Sequence, residues 1–228
     1  MTWNLSMIFG PMFSGKSTYL QNQINRQKIK GKKCIIINYK HDNRYCEGNF
    51  VVTHELVKME AVKCDKLCDI NVDEFDVIGI DEGQFFIDLV EMASRWSDDG
   101  KKVIVAALDA TFDRKPFGNI CDLIAMSDKV KKLRSICKIC HKKALFNQRT
   151  VKDAKSVIGG IEQYRPLCRQ CFIKEEGITN SLTASMESLL IPSLEETQSS
   201  DSIKKSNSDI STTKGSLSNA RTCSSINA

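Results

Sequence analysis

Short apolar runs separated by helical patterns organise the first half of the chain. Four runs, each bounded by polar or turn residues, predict buried strands over Leu5–Phe9, Cys34–Asn38, Val77–Asp81 and Val103–Leu108. They are continuous and rich in β-branched residues, which is typical of strands covered on both faces in a parallel sheet. The intervening patterns predict helices over Ser17–Ile29, Phe86–Ser97 and Phe117–Met126. This alternation predicts an α/β fold with a mainly parallel sheet and helices on both faces.

The pattern changes twice further along the chain. It becomes cysteine-rich and short-ranged near residue 133, and from residue 178 it is dominated by Ser and Thr without an aromatic residue. The last composition buries too little apolar surface to offset the entropy lost on ordering. We therefore predict an α/β domain over residues 1–132, a small lobe over 133–177 and a disordered tail over 178–228.

Composition narrows the class of protein. The chain has 228 residues, 41% of them hydrophobic, which is enough for a sizeable core. Because no apolar run approaches a membrane span and the N-terminus lacks a basic leader, we predict a protein without a signal peptide and without a membrane partner. A net charge of +5 is too mild to indicate nucleic acid. Ten cysteines in such a chain predict free thiols and a metal site rather than a disulfide framework.

A phosphate-binding loop follows the first predicted strand. The sequence Gly10-Pro11-Met12-Phe13-Ser14-Gly15-Lys16-Ser17 fits the pattern G-x-x-x-x-G-K-[ST] and leads into the first predicted helix. Loop amides and the helix N-terminus bind phosphate oxygens, Lys16 reaches the β- and γ-phosphates, and the Ser17 hydroxyl ligates Mg²⁺. The alternative is a chance match in a tight strand–helix turn. The motif predicts that the α/β fold is of the P-loop (RecA-like) type and that the protein uses ATP with Mg²⁺ as cofactor.

Two adjacent carboxylates, Asp81 and Glu82, lie at the end of the third predicted strand. Asp81 stands where a nucleotide-binding sheet presents a carboxylate to Mg²⁺, usually through water. Glu82 is expected to point into the cleft beyond the strand, where it can accept a proton from a hydroxyl or a water. The alternative for Glu82 is a helix N-terminal charge stabilised by the helix dipole.

Two cysteine pairs predict a structural zinc site. Cys137 and Cys140 form one C-x-x-C pair and Cys168 and Cys171 the other, with 27 residues between the pairs. Four thiolates close a tetrahedral Zn²⁺ site, which makes it structural rather than catalytic. Redox dithiols and unliganded thiols are the alternatives.

Four other cysteines are predicted to be packing residues. Cys64 and Cys68 have helical spacing, and Cys34 and Cys121 are interpreted as small core hydrophobes.

The segment between the two cysteine pairs is predicted to form a lid over a bound ligand. Residues 142–167 show no obvious core, and they hold the paired glycines of the Val157–Gly160 stretch and Tyr164. Since long ordered loops are uncommon unless functional, this loop is expected to close on a ligand and exclude water. An ordinary surface loop is the alternative.

Four strings carry further information when they are taken together. They are GPMFSGKST at residues 10–18, DEGQFF at 81–86, ALDATFDRKPFG at 107–118 and IGGIEQYRPLC at 158–168. Their joint pattern resembles the type II thymidine kinases, the cytosolic form found in animals and many bacteria, over about residues 3–174. Asn147 stands where those relatives often carry threonine, near the thymine methyl group.

The resemblance implies a reaction and its residues. ATP would phosphorylate the 5′-hydroxyl of thymidine, and possibly of deoxyuridine, in nucleoside salvage for DNA synthesis, and the chain would form a homotetramer. The catalytic base falls on Glu82, and nucleotide contacts fall on Gln84, Asp42, Asn43 and Arg44. Thymidine contacts fall on Phe85, Leu108, Phe112, Phe117, Tyr164 and a lasso loop comprising Lys155, Ser156, Val157, Ile158 and Gly159. A base held by backbone groups would be selected by its edge, so cytosine would be rejected.

Two rival functions remain open from the residues. A nucleic-acid-dependent ATPase with a zinc finger would carry a basic stripe with interleaved aromatic residues. Here Lys129-Val-Lys-Lys132 is one small basic cluster, interpreted as a solvated face. A non-catalytic zinc scaffold would not need Lys16, Ser17, Asp81 and Glu82 together. A nucleoside kinase without a nucleic-acid partner is the favoured interpretation.

Overall fold

A six-stranded parallel sheet is the main element of the described fold. The computed structural model describes residues 4–41, 50–52, 58–151 and 163–177. In chain order the strands there are β1 (Leu5–Phe9), β2 (Cys34–Tyr39), β3 (Phe50–Val52), β4 (Lys58–Glu60), β5 (Val62–Cys64), β6 (Val77–Ile80), β7 (Lys102–Ala107), β8 (Lys129–Lys132), β9 (Ser135–Ile136), β10 (Lys143–Ala144), β11 (Phe146–Arg149) and β12 (Tyr164–Leu167). The six strands of the parallel sheet lie in the order β5-β2-β6-β7-β1-β8, and the mainly parallel α/β prediction is confirmed.

Helices cover both faces of this sheet, as predicted. They are α1 (Lys16–Ile29), α2 (Leu89–Asp98) and α3 (Ile120–Met126). Leu20 and Ile24 of α1 pack on one face, against residues such as Ile104. Apolar residues of α2 and α3, among them Trp96 and Leu123, pack on the other face. Among the described residues, none of the helices combines the length and apolar character that crossing a bilayer requires.

The predicted bounds are wrong by a few residues where turns lead into helices. The strand predicted to end at Asp81 ends at Ile80, and a 3-10 turn, Gly83–Phe85, follows it. This turn leaves Phe86 extended, so α2 begins at Leu89 rather than at Phe86. The third helix begins at Ile120 rather than at Phe117. Amphipathic spacing continues through such turns and therefore does not mark where the helix starts.

The basic cluster at residues 129–132 is an edge strand. These residues form β8, which pairs in parallel with β1 from Ser6 opposite Lys129 to Phe9 opposite Lys132. Its four side chains are exposed, in agreement with the interpretation of a solvated face. The strand itself was missed because backbone hydrogen bonds form it, and its sequence has a single apolar residue. Lysines on an edge strand also discourage pairing with other chains.

The interpretation of the isolated cysteines is partly wrong. Cys121 is exposed, because α3 buries Ile120 and Leu123 and turns the intervening residues to solvent. Cys64 is buried as predicted, but at the end of a strand, and burial raises the pKa of its thiol to about 11. Cys68 is exposed in a 3-10 turn. Cys34 is half-buried beside the core.

The cysteine-rich segment has a small core of its own, which the sequence did not reveal. Strands β9 and β10 pair antiparallel, as do β11 and β12, and residues 169–177 are helical. Ala144, Leu167 and Phe172 are buried together beside two of the cysteines, Cys137 and Cys168. We call residues 133–151 and 163–177 the cysteine lobe. The predicted lid residues 157–160 and the tail lie outside the described residues, and the domain bounds stay a prediction.

Gly10 is the point where the cysteine lobe meets the end of β1. Its φ is +152°, and a Cβ built on it would lie 2.5 Å from the carbonyl oxygen of Leu133. We expect Gly10→Ala to lower the free energy of unfolding by about 2–4 kcal/mol, because backbone strain and a backbone clash add. Gly31→Ala is the matched control, since Gly31 has φ +77° and open space around it, so only strain of about 1–2 kcal/mol applies. Equal losses in denaturant unfolding would show that the contact with Leu133 carries no cost.

Candidate active site

The phosphate loop connects β1 to α1 with a strongly bent backbone. Phe13 and Gly15 both adopt left-handed conformations, with φ values of 61° and 79°. Lys16 is the first residue of α1 and is 8% exposed, and its Nζ donates a hydrogen bond to the Pro11 carbonyl at 2.9 Å. The first turn of α1 contains no acidic residue, so no carboxylate within that turn offsets the positive end of the helix dipole.

A buried hydroxyl in this loop fits an anionic ligand. The Ser14 Oγ is buried and has no hydrogen-bond partner among the described residues. Buried polar groups are normally hydrogen-bonded, so an orphaned hydroxyl marks a place where a ligand can supply the partner. Together with the positive end of α1, it makes the loop suited to phosphate oxygens.

Glu82 is held in a strained conformation at the carboxyl end of β6. It has φ 53°, in the left-handed region that non-glycine residues seldom adopt, and it is 8% exposed. Asp81, 3% exposed, accepts a hydrogen bond from the Glu82 amide on its Oδ1 at 3.1 Å. Such strain persists only where surrounding contacts impose it, and it concentrates at functional sites. Two nearly buried carboxylates thus meet at this edge of the sheet.

Gln84 connects Glu82 to the neighbouring strand. Its Nε2 donates to the Glu82 Oε2 at 2.6 Å, and its Oε1 accepts from the Leu108 amide at 2.9 Å. The Leu108 N–H can only donate, so it fixes the orientation of the Gln84 amide with its nitrogen toward Glu82. The sequence placed Gln84 among the nucleotide contacts. In the structure its two polar ends bind groups of the protein.

Four of the five predicted thymidine contacts that the structure describes meet in one apolar cluster. Leu108 and Tyr164 are buried there, and Phe112 and Phe117 pack against them. The phosphate-loop residues Met12 and Phe13 belong to the same cluster. We call these six residues the pocket cluster. From the sequence, Met12 and Phe13 are predicted only as phosphate contacts.

Aromatic side chains extend the pocket cluster toward β2. The ring of Phe85 lies edge-to-face with Phe117 at 5.5 Å and stacks on Tyr39 at 5.3 Å between ring centroids. Sequence reasoning missed Tyr39, because its only signal was its position at the end of a strand. On the lobe side, the guanidinium carbon of Arg149 lies 5.3 Å from the centroid of the Phe112 ring. Arg149 too was absent from the predicted site.

The four predicted metal ligands form one cluster. The Sγ atoms of Cys137, Cys140, Cys168 and Cys171 all lie within 4.8 Å of one another, and those of Cys140 and Cys168 are 3.6 Å apart. Sulfurs around a tetrahedral Zn²⁺ are about 3.8 Å apart, given Zn–S bonds of about 2.3 Å. The spacing fits a tetrahedral thiolate site, and this group could hold a metal ion.

The thiols of this cluster differ in acidity. Burial opposes ionisation of Cys137, but N–H groups of the backbone at Cys140, Cys168 and Ile139 outweigh it and lower its pKa to about 6. The Cys171 backbone likewise lowers the pKa of Cys168, whereas burial raises the pKa of Cys171 to about 12. Backbone amides that favour a thiolate are suited to a cluster that binds a cation.

Two predicted groups of site residues lie outside the described residues. They are Asp42, Asn43 and Arg44 after β2, and the lasso residues 155–159. Their roles stay predictions.

Comparison with known proteins agrees with this geometry. The family model described as thymidine kinase matches residues 3–172. The thymidine kinase of variola virus is 49% identical over 173 residues, which cover 75% of this chain and 97% of the viral protein. Thymidine kinases of vaccinia virus strain Western Reserve and of monkeypox virus are 47% and 46% identical over the same coverage. The resemblance inferred from the sequence motifs is confirmed, and the chain belongs to the thymidine kinase family.

Proposed function

We propose that this chain transfers the γ-phosphoryl group of ATP to the 5′-hydroxyl of thymidine, giving thymidine monophosphate and ADP. The observation that carries the proposal is the double role of Leu108. Its side chain packs with Met12 of the phosphate loop and with Tyr164, and its amide binds the Gln84 side chain that holds Glu82. One residue thus joins a phosphate-binding loop, an aromatic pocket and a buried carboxylate.

The nucleotide is proposed to bind along the loop from Gly10 to Ser17. Loop amides, the N-terminus of α1 and Lys16 would contact its phosphates, and the Ser14 hydroxyl would gain a partner. Ser17 and Asp81 are the residues suited to hold Mg²⁺, which supplies charge neutralisation on the phosphates when bound. Asp42, Asn43, Arg44 and Gln84 complete the proposed nucleotide site, Arg44 as a candidate for stabilising the transferring charge and Gln84 through its hold on Glu82.

Thymidine is proposed to bind in the pocket cluster. Phe112 would stack on the base, with Phe85, Leu108, Phe117 and Tyr164 around it. Backbone groups of residues 155–159 would bind the edge of the base. Such a site admits thymine and uracil, and it leaves buried polar atoms unpaired with cytosine.

Glu82 is the proposed general base. Its carboxylate accepts the proton of the 5′-hydroxyl as that oxygen bonds to the γ-phosphorus, and the bond from this phosphorus to the β–γ bridging oxygen breaks. The electron pair of the broken bond leaves with ADP. The Gln84 side chain, which is itself held by the Leu108 amide, donates to the Glu82 carboxylate and keeps it in place, so the orientation of Glu82 need not be established anew for each substrate.

The four cysteines are proposed to bind one structural Zn²⁺. The cluster geometry supports this assignment, because four thiolates leave no open coordination position for chemistry. The homotetrameric state and the cytoplasmic location are proposed from the family resemblance.

Transfer of radiolabelled phosphate from ATP to a panel of nucleosides tests the function. Labelled monophosphate is expected with thymidine and deoxyuridine, and at least about a hundredfold less with deoxycytidine, because the base edge selects the substrate. Hydrolysis of ATP with and without single-stranded DNA is measured in parallel. DNA-stimulated hydrolysis without transfer to any nucleoside would refute the kinase proposal in favour of an ATPase.

A further inference from the structure

The side chain of Asn147 joins the cysteine lobe to the phosphate loop. Asn147 lies on β11 and is 6% exposed. Its Oδ1 accepts a hydrogen bond from the Met12 amide at 2.8 Å, across 135 residues of sequence. This loop amide is therefore committed to a protein acceptor and is not among those available to a phosphate.

The amide that Asn147 binds belongs to a peptide group that is fixed on both sides. The carbonyl of the same peptide is the Pro11 oxygen, which accepts the hydrogen bond from Lys16 Nζ at 2.9 Å. Because a peptide group is planar, its N–H and C=O cannot reorient separately. Asn147 thus acts on the position of the Lys16 ammonium through a single rigid group.

The same peptide also controls one wall of the pocket cluster. The Met12 side chain is buried against Leu108 and Tyr164. The following residue, Phe13, adopts a left-handed conformation and belongs to the cluster as well. Rotation of the Pro11–Met12 peptide would therefore move a group that faces the phosphates and a side chain that faces the nucleoside.

We propose that Asn147 is a positioning residue that sets the Pro11–Met12 peptide for both substrates at once. This inference rests on the proposed function for the identity of the two ligands. Without the Asn147 acceptor, the Met12 N–H is buried and unsatisfied, and the peptide turns to recover a hydrogen bond. That turn withdraws the Pro11 carbonyl from Lys16 and displaces Met12 from the pocket cluster.

The neighbouring residue Gln148 provides a matched control. Successive side chains of a strand point to opposite faces, so Gln148 faces away from the phosphate loop. Its Oε1 accepts a hydrogen bond from the Arg165 Nε at 2.7 Å, within the β11–β12 pair. Replacing it by leucine removes one side-chain hydrogen bond from the lobe, as the same replacement does at Asn147, without touching the loop.

The test compares Asn147→Leu with Gln148→Leu in the full chain. Calorimetry measures the dissociation constants for thymidine and for ADP with Mg²⁺, and zinc content is measured on the same samples. We expect Asn147→Leu to weaken the binding of both ligands about tenfold or more, which is the usual effect of an unsatisfied buried N–H. Its zinc content should stay unchanged. Gln148→Leu is expected to leave both dissociation constants within about twofold of the wild type.

Asn147→Asp separates the acceptor from the charge. It keeps an acceptor for the Met12 amide, so thymidine affinity should stay within about twofold of the wild type. Its added negative charge near the phosphate site should still weaken the binding of ADP, by about tenfold. If Asn147 had a merely structural role, its replacement by aspartate would not change the affinity for ADP while leaving the affinity for thymidine unchanged.

Several outcomes would overturn the proposal. Wild-type affinity of Asn147→Leu for both ligands is one, and equal losses in the Gln148→Leu control are another. If Asn147→Leu does not fold, Asn147→Ala is measured instead, and loss of zinc or of folding there would assign Asn147 a purely structural role. A wild-type chain that binds ADP but no nucleoside would refute the proposed function separately.

Discussion

The Glu82→Gln variant is expected to bind ATP and thymidine almost as the wild type does and to turn over about 10²–10⁴ times more slowly. Glutamine has nearly the same shape, and its side-chain oxygen can still accept the hydrogen bond from Gln84. What the variant lacks is a group that can take the proton of the 5′-hydroxyl. The loss should therefore appear in kcat, with KM little changed.

Two controls make the measurement at Glu82 specific. Glu91→Gln removes the same charge from an exposed position on α2 and should leave kcat unchanged. Denaturant unfolding of Glu82→Gln should show a free energy close to that of the wild type, since the left-handed backbone is unaltered. Near-wild-type turnover in Glu82→Gln would remove Glu82 from the role of base.

Loss of one cysteine ligand should have the largest effect on stability. Cys137 is completely buried in the small core of the cysteine lobe. We expect Cys137→Ser to reduce zinc from about one ion per chain to nearly none, because a three-thiolate site is incomplete. The binding energy of a structural zinc is folding energy, about 10–16 kcal/mol in small zinc peptides, so the lobe should lose its fixed structure.

Activity should fall together with the metal. Three hydrogen bonds tie residues 133–147 to the phosphate-loop region: Leu133 N–H to the Phe9 carbonyl, Ser135 Oγ to the Phe13 carbonyl, and the Met12 N–H to Asn147. A lobe without its metal cannot hold them in place. Turnover is therefore expected to drop by at least about tenfold, even though none of the four cysteines belongs to the pocket cluster.

Cys121→Ser is the matched control for the metal site. Cys121 is exposed on α3. The Cys121→Ser variant should therefore have the zinc content, stability and turnover of the wild type. The wild-type protein treated with a chelator gives an independent comparison with Cys137→Ser. Metal-free protein with full activity would contradict the structural role of zinc.

The parts of the site that lie within a few consecutive residues could be predicted from the sequence. The phosphate loop and the two C-x-x-C pairs are local, because neighbouring residues supply nearly all of the groups that each needs. The buried strands could also be predicted, since a run such as that in β6 is apolar on both faces. The fold class and the family follow from these local signals.

The spatial relations between those parts could not be predicted. The bond from Asn147 to Met12 spans 135 residues, and nothing in either local sequence indicates the other. The roles of Tyr39 and Arg149 beside the aromatic cluster depend in the same way on how distant strands are placed. The edge strand β8 escaped prediction because backbone hydrogen bonds, which carry no side-chain pattern, form it.

The sequence by itself determined which reactive groups this protein carries: a phosphate-loop motif, a carboxylate pair and two cysteine pairs. Only the tertiary structure decided how these groups act together. Glu82 adopts a left-handed conformation, Gln84 links it to Leu108, and the cysteine lobe reaches the phosphate loop through Asn147. The physical reason is that a side chain's chemistry is a property of the residue. Its partners are set by burial and by the requirement that every buried polar group be satisfied, which is a property of the whole fold.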